Sequence, residues 1–178
     1  MRPEFVERTI ASRRQVLWIL WGAFVSSVMV YAVMGVTLKS SGGFGAHRPD
    51  PILPPLLMAM GLMSGLATVV TRVLLFTPSR VVPDRDAPEW RPRPGTPDAL
   101  IPSNPQEVRL ARAFQTVFTF TVVSFAGMES VAIFGLVLFF LTGELTHAGA
   151  MWLAGLLGFF FVLPPGRDFY QEVTRKIG

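Results

Sequence analysis

One carboxylate stands within the most apolar part of the chain. Glu129 lies in Val117–Leu141, a run that contains no other charged residue. A charge near the middle of a bilayer is costly, so carboxylates in such positions are typically functional or paired with polar groups. No Lys, Arg or His lies centrally in any apolar stretch to pair with it, and we therefore expect the carboxyl to be neutral most of the time. A neutral carboxyl that ionises when water or a cation reaches it is the minimal element of a proton site.

A structural role for the same carboxyl is equally compatible with its neighbours. Ala126 and Ala132 flank Glu129 at three residues on either side, which leaves room for an approaching helix, and Ser130 supplies an adjacent hydroxyl. A protonated Glu could then form an interhelical hydrogen bond with a backbone carbonyl or with a hydroxyl on another helix, the candidates being Ser26, Ser27, Ser64 and Thr68. The sequence leaves both interpretations open.

The stretch that begins at this carboxylate resembles a known family. Residues 129–138 read ESVAIFGLVL, which is similar to the carboxylate helix of the rotary ATPase proteolipids that form membrane rotor rings. In that family a mid-membrane Glu precedes a small or hydroxyl residue, an Ile-Tyr or Leu-Tyr pair and a Gly-Leu-Val run. The resemblance implies that Glu129 carries the ion and that Ser130 occupies the hydroxyl position of sodium-binding members. Val131 and Phe134 lack the further hydroxyls of those members, which implies protons.

The resemblance also implies a hairpin with its loop in the cytoplasm. The helices on either side of a long central connection would correspond to the two helices of a proteolipid. The family's glycine-repeat helix is reduced here to Gly61 and Gly65, its short polar loop is replaced by a proline-rich segment, and an apolar stretch is added at each end.

The apolar stretches predict an all-α, four-helix integral membrane protein. A hydrocarbon core of about 30 Å needs roughly 20 helical residues. Three stretches are long enough and a fourth nearly so: Val16–Thr37, Ile52–Phe76, Phe114–Leu141 and Gly149–Leu163. The fourth reaches only about 23 Å, so it needs a flanking extension or local thinning of the bilayer.

The positions of Lys and Arg predict the topology. Basic residues concentrate in three segments: the N-terminal arm with Arg2, Arg8, Arg13 and Arg14, the middle with Arg72, Arg80, Arg85, Arg91, Arg93, Arg109 and Arg112, and the tail with Arg167, Arg175 and Lys176. The two other connections hold only Lys39 and Arg48. The positive-inside rule therefore places both termini and the middle segment in the cytoplasm, N-in/C-in, in a bacterial-type cytoplasmic (inner) membrane.

Five segments follow from these patterns. They are an amphipathic cytoplasmic N-terminal segment (1–15), a first transmembrane hairpin (16–76), a proline-rich cytoplasmic arm (77–104), a second transmembrane hairpin (105–165) and an amphipathic cytoplasmic tail (166–178). The arm holds many prolines among charged residues, which predicts an extended segment without a core. Asn104, Pro105 and Glu107 have the types expected at the N-cap, first turn and capping-box position of a helix.

Small residues indicate where helices approach closely. Gly61 and Gly65 form a GxxxG step, and a stripe of small residues in the fourth stretch comprises Ala150, Ala154 and Gly158. Residues 26–34 also align weakly with residues 129–137, at a shift of about 103 positions, as a duplicated hairpin would. Aromatic residues typical of membrane interfaces are Trp18, Trp21, Tyr31, Trp152 and Tyr170.

Several classes of function are excluded or disfavoured. The chain has no Cys, and its two His, His47 and His147, fall in polar connections, so thiolate chemistry and intramembrane bis-His haem ligation are unavailable. No nucleotide-binding loop or nucleophile-base pair is present, and we expect neither an enzyme nor a bound metal or cofactor. Basic residues interleave with acidic ones without an aromatic platform, which disfavours nucleic-acid binding.

We expect as partners the lipid bilayer and other membrane subunits or further copies of the chain. The leading hypothesis is proton binding or translocation within a larger complex, and the alternative is a structural or assembly subunit.

Overall fold

The computed structural model describes residues 1–42, 51–82 and 101–178, and every regular element in these ranges is a helix. The elements are α1 (Pro3–Ser40), α2 (Leu53–Leu75), α3 (Pro78–Val81), α4 (Pro105–Thr142), α5 (Leu145–Phe161) and α6 (Arg167–Ile177). The prediction of an all-α protein is confirmed for the described ranges.

Three of these helices are long and apolar enough to cross a membrane, namely α1, α2 and α4. They contain 38, 23 and 38 residues, which correspond to about 57, 35 and 57 Å. The fourth predicted span coincides with α5, an apolar helix of only 17 residues, or about 26 Å. These helices are compatible with a membrane protein.

Helix ends follow local chemistry in most places. α4 begins at Pro105, and the backbone N–H of Glu107 donates to Asn104 Oδ1 over 2.9 Å, as expected for an N-cap. α1 continues without a break through the segment boundary predicted at residue 15, because no Gly or Pro interrupts it between Pro3 and Gly22.

The predicted proline-rich arm lies largely outside the described residues, since 83–100 belong to none of the described ranges. At its start the structure differs from the extended conformation expected there. Pro78–Val81 form one helical turn after Thr77, where the fixed φ of proline suits the first helical position. Val81 is buried in an apolar core, and this burial offsets the entropy of ordering the turn.

The chain divides into two compact units. The first unit consists of Met1–Ile19, Val73–Val122 and Pro164–Gly178. Its core is formed by apolar side chains from all three segments, among them Phe5, Leu110, Phe114, Val117, Tyr170 and Val173. α6 buries its residues at positions 170, 173 and 177, the spacing of a single helix face, and leaves its charged residues in solvent.

The second unit consists of Leu20–Arg72 and Val123–Leu163. Within it α1 runs parallel to α4, because Phe24 packs against Phe125 and Ser27 lies beside Glu129. α2 runs antiparallel to α4, since the backbone at Gly61 approaches Phe134 and that at Gly65 approaches Val131. α5 also runs antiparallel to α4. Its Trp152 approaches Gly135 and its Gly158 approaches Met128, so α4 contacts all three of the other helices of this unit.

Candidate functional site at Glu129

Two hydroxyls of α1 converge on one oxygen of Glu129. Ser27 Oγ lies 2.6 Å from Glu129 Oε1, and Tyr31 Oη lies 3.1 Å from the same oxygen. Ser27 and Tyr31 are four positions apart on α1, so both side chains leave the same face of the helix. All three residues are half-buried. The carboxyl is thus held by hydroxyl groups of the neighbouring helix.

The hydroxyl of Ser27 has a second acceptor within reach. Its Oγ lies 2.7 Å from the backbone carbonyl oxygen of Phe24, one turn earlier on α1. A serine hydroxyl has one hydrogen and two lone pairs. Ser27 can therefore donate either to Phe24 or to Glu129, and in the first case the hydrogen between Ser27 and Glu129 must come from the carboxyl.

These contacts are compatible with both protonation states of Glu129. When the carboxyl is neutral, its O–H donates to Ser27, Ser27 donates to the Phe24 carbonyl, and Tyr31 donates to Oε1. When the carboxyl is ionised, Ser27 turns its hydrogen towards Oε1 and Tyr31 donates to the same oxygen. Only hydrogens move between the two arrangements. Among the described residues no cationic side chain forms an ion pair with Glu129.

Ser130, the other predicted ion-binding residue, contacts a different helix. Its Oγ lies 2.8 Å from Ser64 Oγ on α2 and donates to the backbone carbonyl of Gly127 over 2.7 Å. Ser130 has one hydrogen, so when it donates to Gly127 the donor in the bond between the two serines is Ser64. Successive residues of a helix point about 100° apart, so Glu129 reaches α1 while Ser130 reaches α2. The structure does not bring the two side chains to one ligand position.

Sequence reasoning named Ser27 among several possible partners of Glu129 and missed Tyr31 in this role. Tyr31 was expected at the membrane interface, whereas its hydroxyl lies at the carboxyl. The four-residue spacing places Tyr31 on the same face of α1 as Ser27. It identifies Tyr31 as a partner of Glu129 only once Ser27 is known to face α4. Ser26, the neighbouring candidate, instead donates to the carbonyl of Gly22 on its own helix.

The predicted small-residue positions have different surroundings. Gly61 and Gly65 both lie where an added methyl group would meet side chains of neighbouring helices, and Gly158 lies against Met128. Ala154 packs against a buried cluster of the second unit, whereas Ala150 is exposed.

Close approaches also occur at glycines that sequence reasoning did not name. At Gly135 an added Cβ would stand 3.0 Å from the Ala148 carbonyl oxygen, and at Gly155 it would stand 3.3 Å from the Met128 carbonyl oxygen. At Gly127 it would meet the Thr68 side chain. These contacts let α2 and α5 pack closely on the helix that carries Glu129.

The first unit contains a fully buried carboxylate, Glu107, which precedes the apolar stretch 114–141. Its Oε1 accepts from the backbone N–H and Nε of Arg2, and its Oε2 accepts from Arg2 Nη2 at 2.9 Å. The backbone N–H of Ser103 also donates to Oε2, over 2.9 Å. The hydrogen-bonded Arg2 guanidinium, supported by Ser103, holds the pKa of the Glu107 carboxyl well below its usual range.

This arrangement departs from a capping box in one respect. Glu107 reaches the backbone N–H of Ser103 and not that of the capping residue, Asn104. Its longer-range hydrogen bonds come from Arg2, the residue directly before α1. Glu107 therefore ties the start of α4 to the start of the chain.

Metal chemistry has no support in the part of the chain that the structure describes, where no group of three or more His, Cys, Asp or Glu could hold an ion. Comparison of the chain with protein-family models, with curated proteins and with solved structures finds no match.

Proposed function

We propose that this chain is a multi-pass protein of a bacterial-type cytoplasmic membrane in which Glu129 binds and releases a proton as part of a larger membrane complex. The observation that carries the proposal is the position of the Ser27 hydroxyl between Glu129 Oε1 and the Phe24 carbonyl, at 2.6 and 2.7 Å. A hydroxyl that only joins two helices needs a single acceptor, whereas Ser27 has two within reach. Here the same heavy-atom positions satisfy a neutral and an ionised carboxyl, which is the requirement for a group that changes protonation state without rearranging its helices.

The proposed topology has four spans with both termini and the central arm in the cytoplasm. It is supported by the composition of the first unit, which gathers the N-terminal, central and C-terminal segments that carry most of the Lys and Arg. Arg2 bonds to Glu107 and Arg167 to Glu7, so these three segments contact one another directly. Segments in direct contact lie on the same side of a membrane.

The resemblance to rotary ATPase proteolipids supports the choice of ion. α2 packs antiparallel to α4, as the two helices of a proteolipid hairpin do, and by the resemblance Glu129 would correspond to the family's ion-carrying carboxylate. Val131 and Phe134 lack the further hydroxyls of the sodium-binding members, which favours protons. Protonation of the carboxyl needs no further ligand.

Infrared difference spectroscopy of the reconstituted protein tests proton binding directly. A protonated carboxyl has a carbonyl stretch that disappears on ionisation, so the wild type should show a band that changes with pH and is absent in Glu129→Gln. Glu144→Gln is the matched control, since Glu144 is an exposed carboxylate just beyond the end of α4. A spectrum in which Glu129→Gln leaves every pH-dependent carboxyl band unchanged would contradict the proposal.

A second candidate function is that of a structural subunit. It is favoured because the hydroxyls that contact Glu129 also join two helices. Ser27 and Tyr31 both join α1 to α4 through Glu129, and the carboxyl is half-buried. In that case Glu129→Gln should be tolerated in every assay, because the amide oxygen still accepts both bonds. Glu129→Ala should then lower the stability of the detergent-extracted protein by about 0.6 to 2 kcal/mol.

A further inference from the structure

The indole of Trp152 lies between two helices of the second unit and meets a glycine on each. Its benzene ring lies so close to Gly35 of α1 that a methyl group at that residue would collide with it. Its Cδ1 lies 3.1 Å from the position that a Cβ would take at Gly135 of α4. Only 4% of Trp152 is exposed. A residue expected at the membrane interface thus fills the space between α1, α4 and α5.

Trp152 lies beyond Glu129 in the direction in which α1 and α4 end, which is the outer side under the proposed topology. Gly135 follows Glu129 by six residues of α4, a rise of about 9 Å. Gly35 follows Tyr31, which bonds to Glu129, by one turn of α1. The indole therefore lies across the outer side of the carboxyl.

The helices at this level are apolar. Apart from Trp152 no hydroxyl, amide or charged side chain occurs in residues 32–36 of α1, 53–63 of α2, 131–141 of α4 and 148–157 of α5. The stretch of α4 alone is about 16 Å long. Nε1 of Trp152 has no hydrogen-bond partner among the described residues. No side chain in these four stretches can therefore accept a proton from Glu129.

The other side of Glu129 is polar. Towards the end of the unit that bears Leu20 and Arg72, hydroxyl side chains occur on three helices, namely Ser26 and Ser27 on α1, Thr68 and Thr71 on α2, and Ser124 on α4. The side chain of Thr68 lies against Gly127, two residues before Glu129. Hydroxyl groups both donate to and accept from water, so they favour its approach from this end, the cytoplasmic one under the proposed topology.

The exposed part of Glu129 offers no route to the outer side. Ile133 and Val137 follow it at intervals of four residues on the same face of α4, and both are exposed. In a membrane this face contacts lipid chains, which neither donate nor accept protons.

From this arrangement we propose that Trp152 closes the outer side of Glu129, so that the carboxyl exchanges its proton with the cytoplasmic side alone. On release the carboxyl O–H bond breaks, the proton passes to water on the cytoplasmic side, and the carboxylate accepts from Ser27 and Tyr31. Uptake reverses these steps. The chain on its own then binds protons without conducting them across the membrane. The inference rests on the proposed proton binding by Glu129 and names the residue that sets the side.

Proton flux into liposomes that contain the purified full chain and an internal pH-sensitive dye tests the proposal. The wild type should be as tight as protein-free liposomes. Trp152→Ser should leak severalfold faster, because the small side chain leaves a cavity and its hydroxyl gives water a partner there, whereas a wholly apolar cavity stays dry. The leak should vanish when Trp152→Ser is combined with Glu129→Gln, which a general loss of packing would not achieve.

Two variants serve as controls. Trp152→Phe keeps an aromatic ring between the two glycines and removes only the N–H, so it should stay tight. Leu153→Ser places the same new residue at the next position of α5, where the native side chain is 58% exposed, and it should stay tight as well. A tight Trp152→Ser variant, or a leak that persists with Glu129→Gln, would overturn the proposal.

A cysteine at the site tests the side of access with Trp152 in place. The chain has no native Cys, so Glu129→Cys carries the only thiol. A small cationic methanethiosulfonate should modify it in inverted membrane vesicles and not in intact cells. Modification from the outside, or from neither side, would contradict one-sided access. The infrared experiment separates this proposal from the proposed function: a titrating Glu129 band together with a tight Trp152→Ser variant would refute the closure and leave proton binding in place.

Discussion

The Ser27 hydroxyl oxygen lies 2.6 Å from Glu129 Oε1, although 102 positions separate the two residues in the chain. The adjacent Ser26 points away and bonds only to its own helix. The two neighbouring serines thus differ in whether they contact the carboxyl. Comparing their alanine variants therefore isolates the effect of that contact.

Ser27→Ala should destabilise the protein, whereas Ser26→Ala should not. The first change removes a hydrogen bond between α1 and α4, which is expected to cost about 0.6 to 2 kcal/mol. The second removes only a bond from Ser26 to the Gly22 carbonyl, which keeps its helical partner. Thermal unfolding of both variants in the same detergent measures the difference, and equal midpoints would argue against a role for Ser27 in joining the helices.

Stability should fall in acid because of Glu107. Its pKa lies below the ordinary value of 4.5 in the folded protein, since Arg2 stabilises the ionised form. The folded state then binds fewer protons than the unfolded state, and the stabilisation present above the ordinary value is lost as pH falls through the lowered one. Unfolding measured at decreasing pH should show this loss in the wild type and a smaller loss in Glu107→Gln.

Glu172→Gln is the control for this experiment. The pKa of Glu172 is also lowered, chiefly by its hydrogen bond from Arg175, but this pair lies at the surface of α6. Exposed ion pairs contribute little to stability, so this variant should follow the wild-type acid profile. A profile of Glu107→Gln identical to that of the wild type would show that the buried carboxyl does not govern acid sensitivity.

Gly135→Ala should disturb the packing of α5 on α4. The new methyl group would stand 3.0 Å from the Ala148 carbonyl oxygen and 2.8 Å from Met151 Cβ, and neither atom can rotate away. Overpacking of this kind typically costs about 1 to 3 kcal/mol. Gly22→Ala is the control, because nothing lies within 4 Å of its added methyl group and alanine is the better helix former. Unfolding in detergent should rank Gly135→Ala below the wild type and Gly22→Ala at or above it.

Single cysteines introduced at two groups of positions should react with an impermeant reagent from opposite sides of the membrane. The chain contains no native Cys, and four exposed positions are available: Ser79 and Lys176 in the first unit, Ser41 after the end of α1 and Thr146 at the start of α5 in the second. An impermeant maleimide added outside intact cells should modify Ser41→Cys and Thr146→Cys only. Modification of Ser79→Cys under the same conditions would refute the N-in/C-in topology.

The helices themselves could be predicted because their signals are local. Apolar stretches longer than a bilayer crossing and the Asn104 cap depend on residues close in sequence, and the structure contains the corresponding helices. The end of the N-terminal segment was placed at residue 15 because the composition changes there. Composition determines which part of a helix meets lipid, whereas the helix continues until its backbone is interrupted, so α1 shows no boundary at that point.

The partners within the candidate site could not be predicted because they depend on the rotation of whole helices. Glu129 was singled out from its chemistry alone, but which of four hydroxyls would meet it depends on the face that α1 presents to α4. The weak alignment of residues 26–34 with 129–137 matches Ser26 with Glu129 in sequence only, and the contact in the structure is made by Ser27. The family resemblance groups Ser130 with Glu129 at an ion site, yet the helical twist directs its hydroxyl to Ser64.

The ion pair between Glu7 and Arg167 has a consequence for biogenesis. Arg167 is synthesised 160 positions after Glu7. At ordinary rates of translation this interval is on the order of ten seconds. α1 is therefore synthesised well before the residue that will hold its first turns exists, and the first unit can close only after α6 has been made. A ribosome that stalls before α6 would leave an inserted chain whose N-terminal segment lacks this partner and is open to proteolysis.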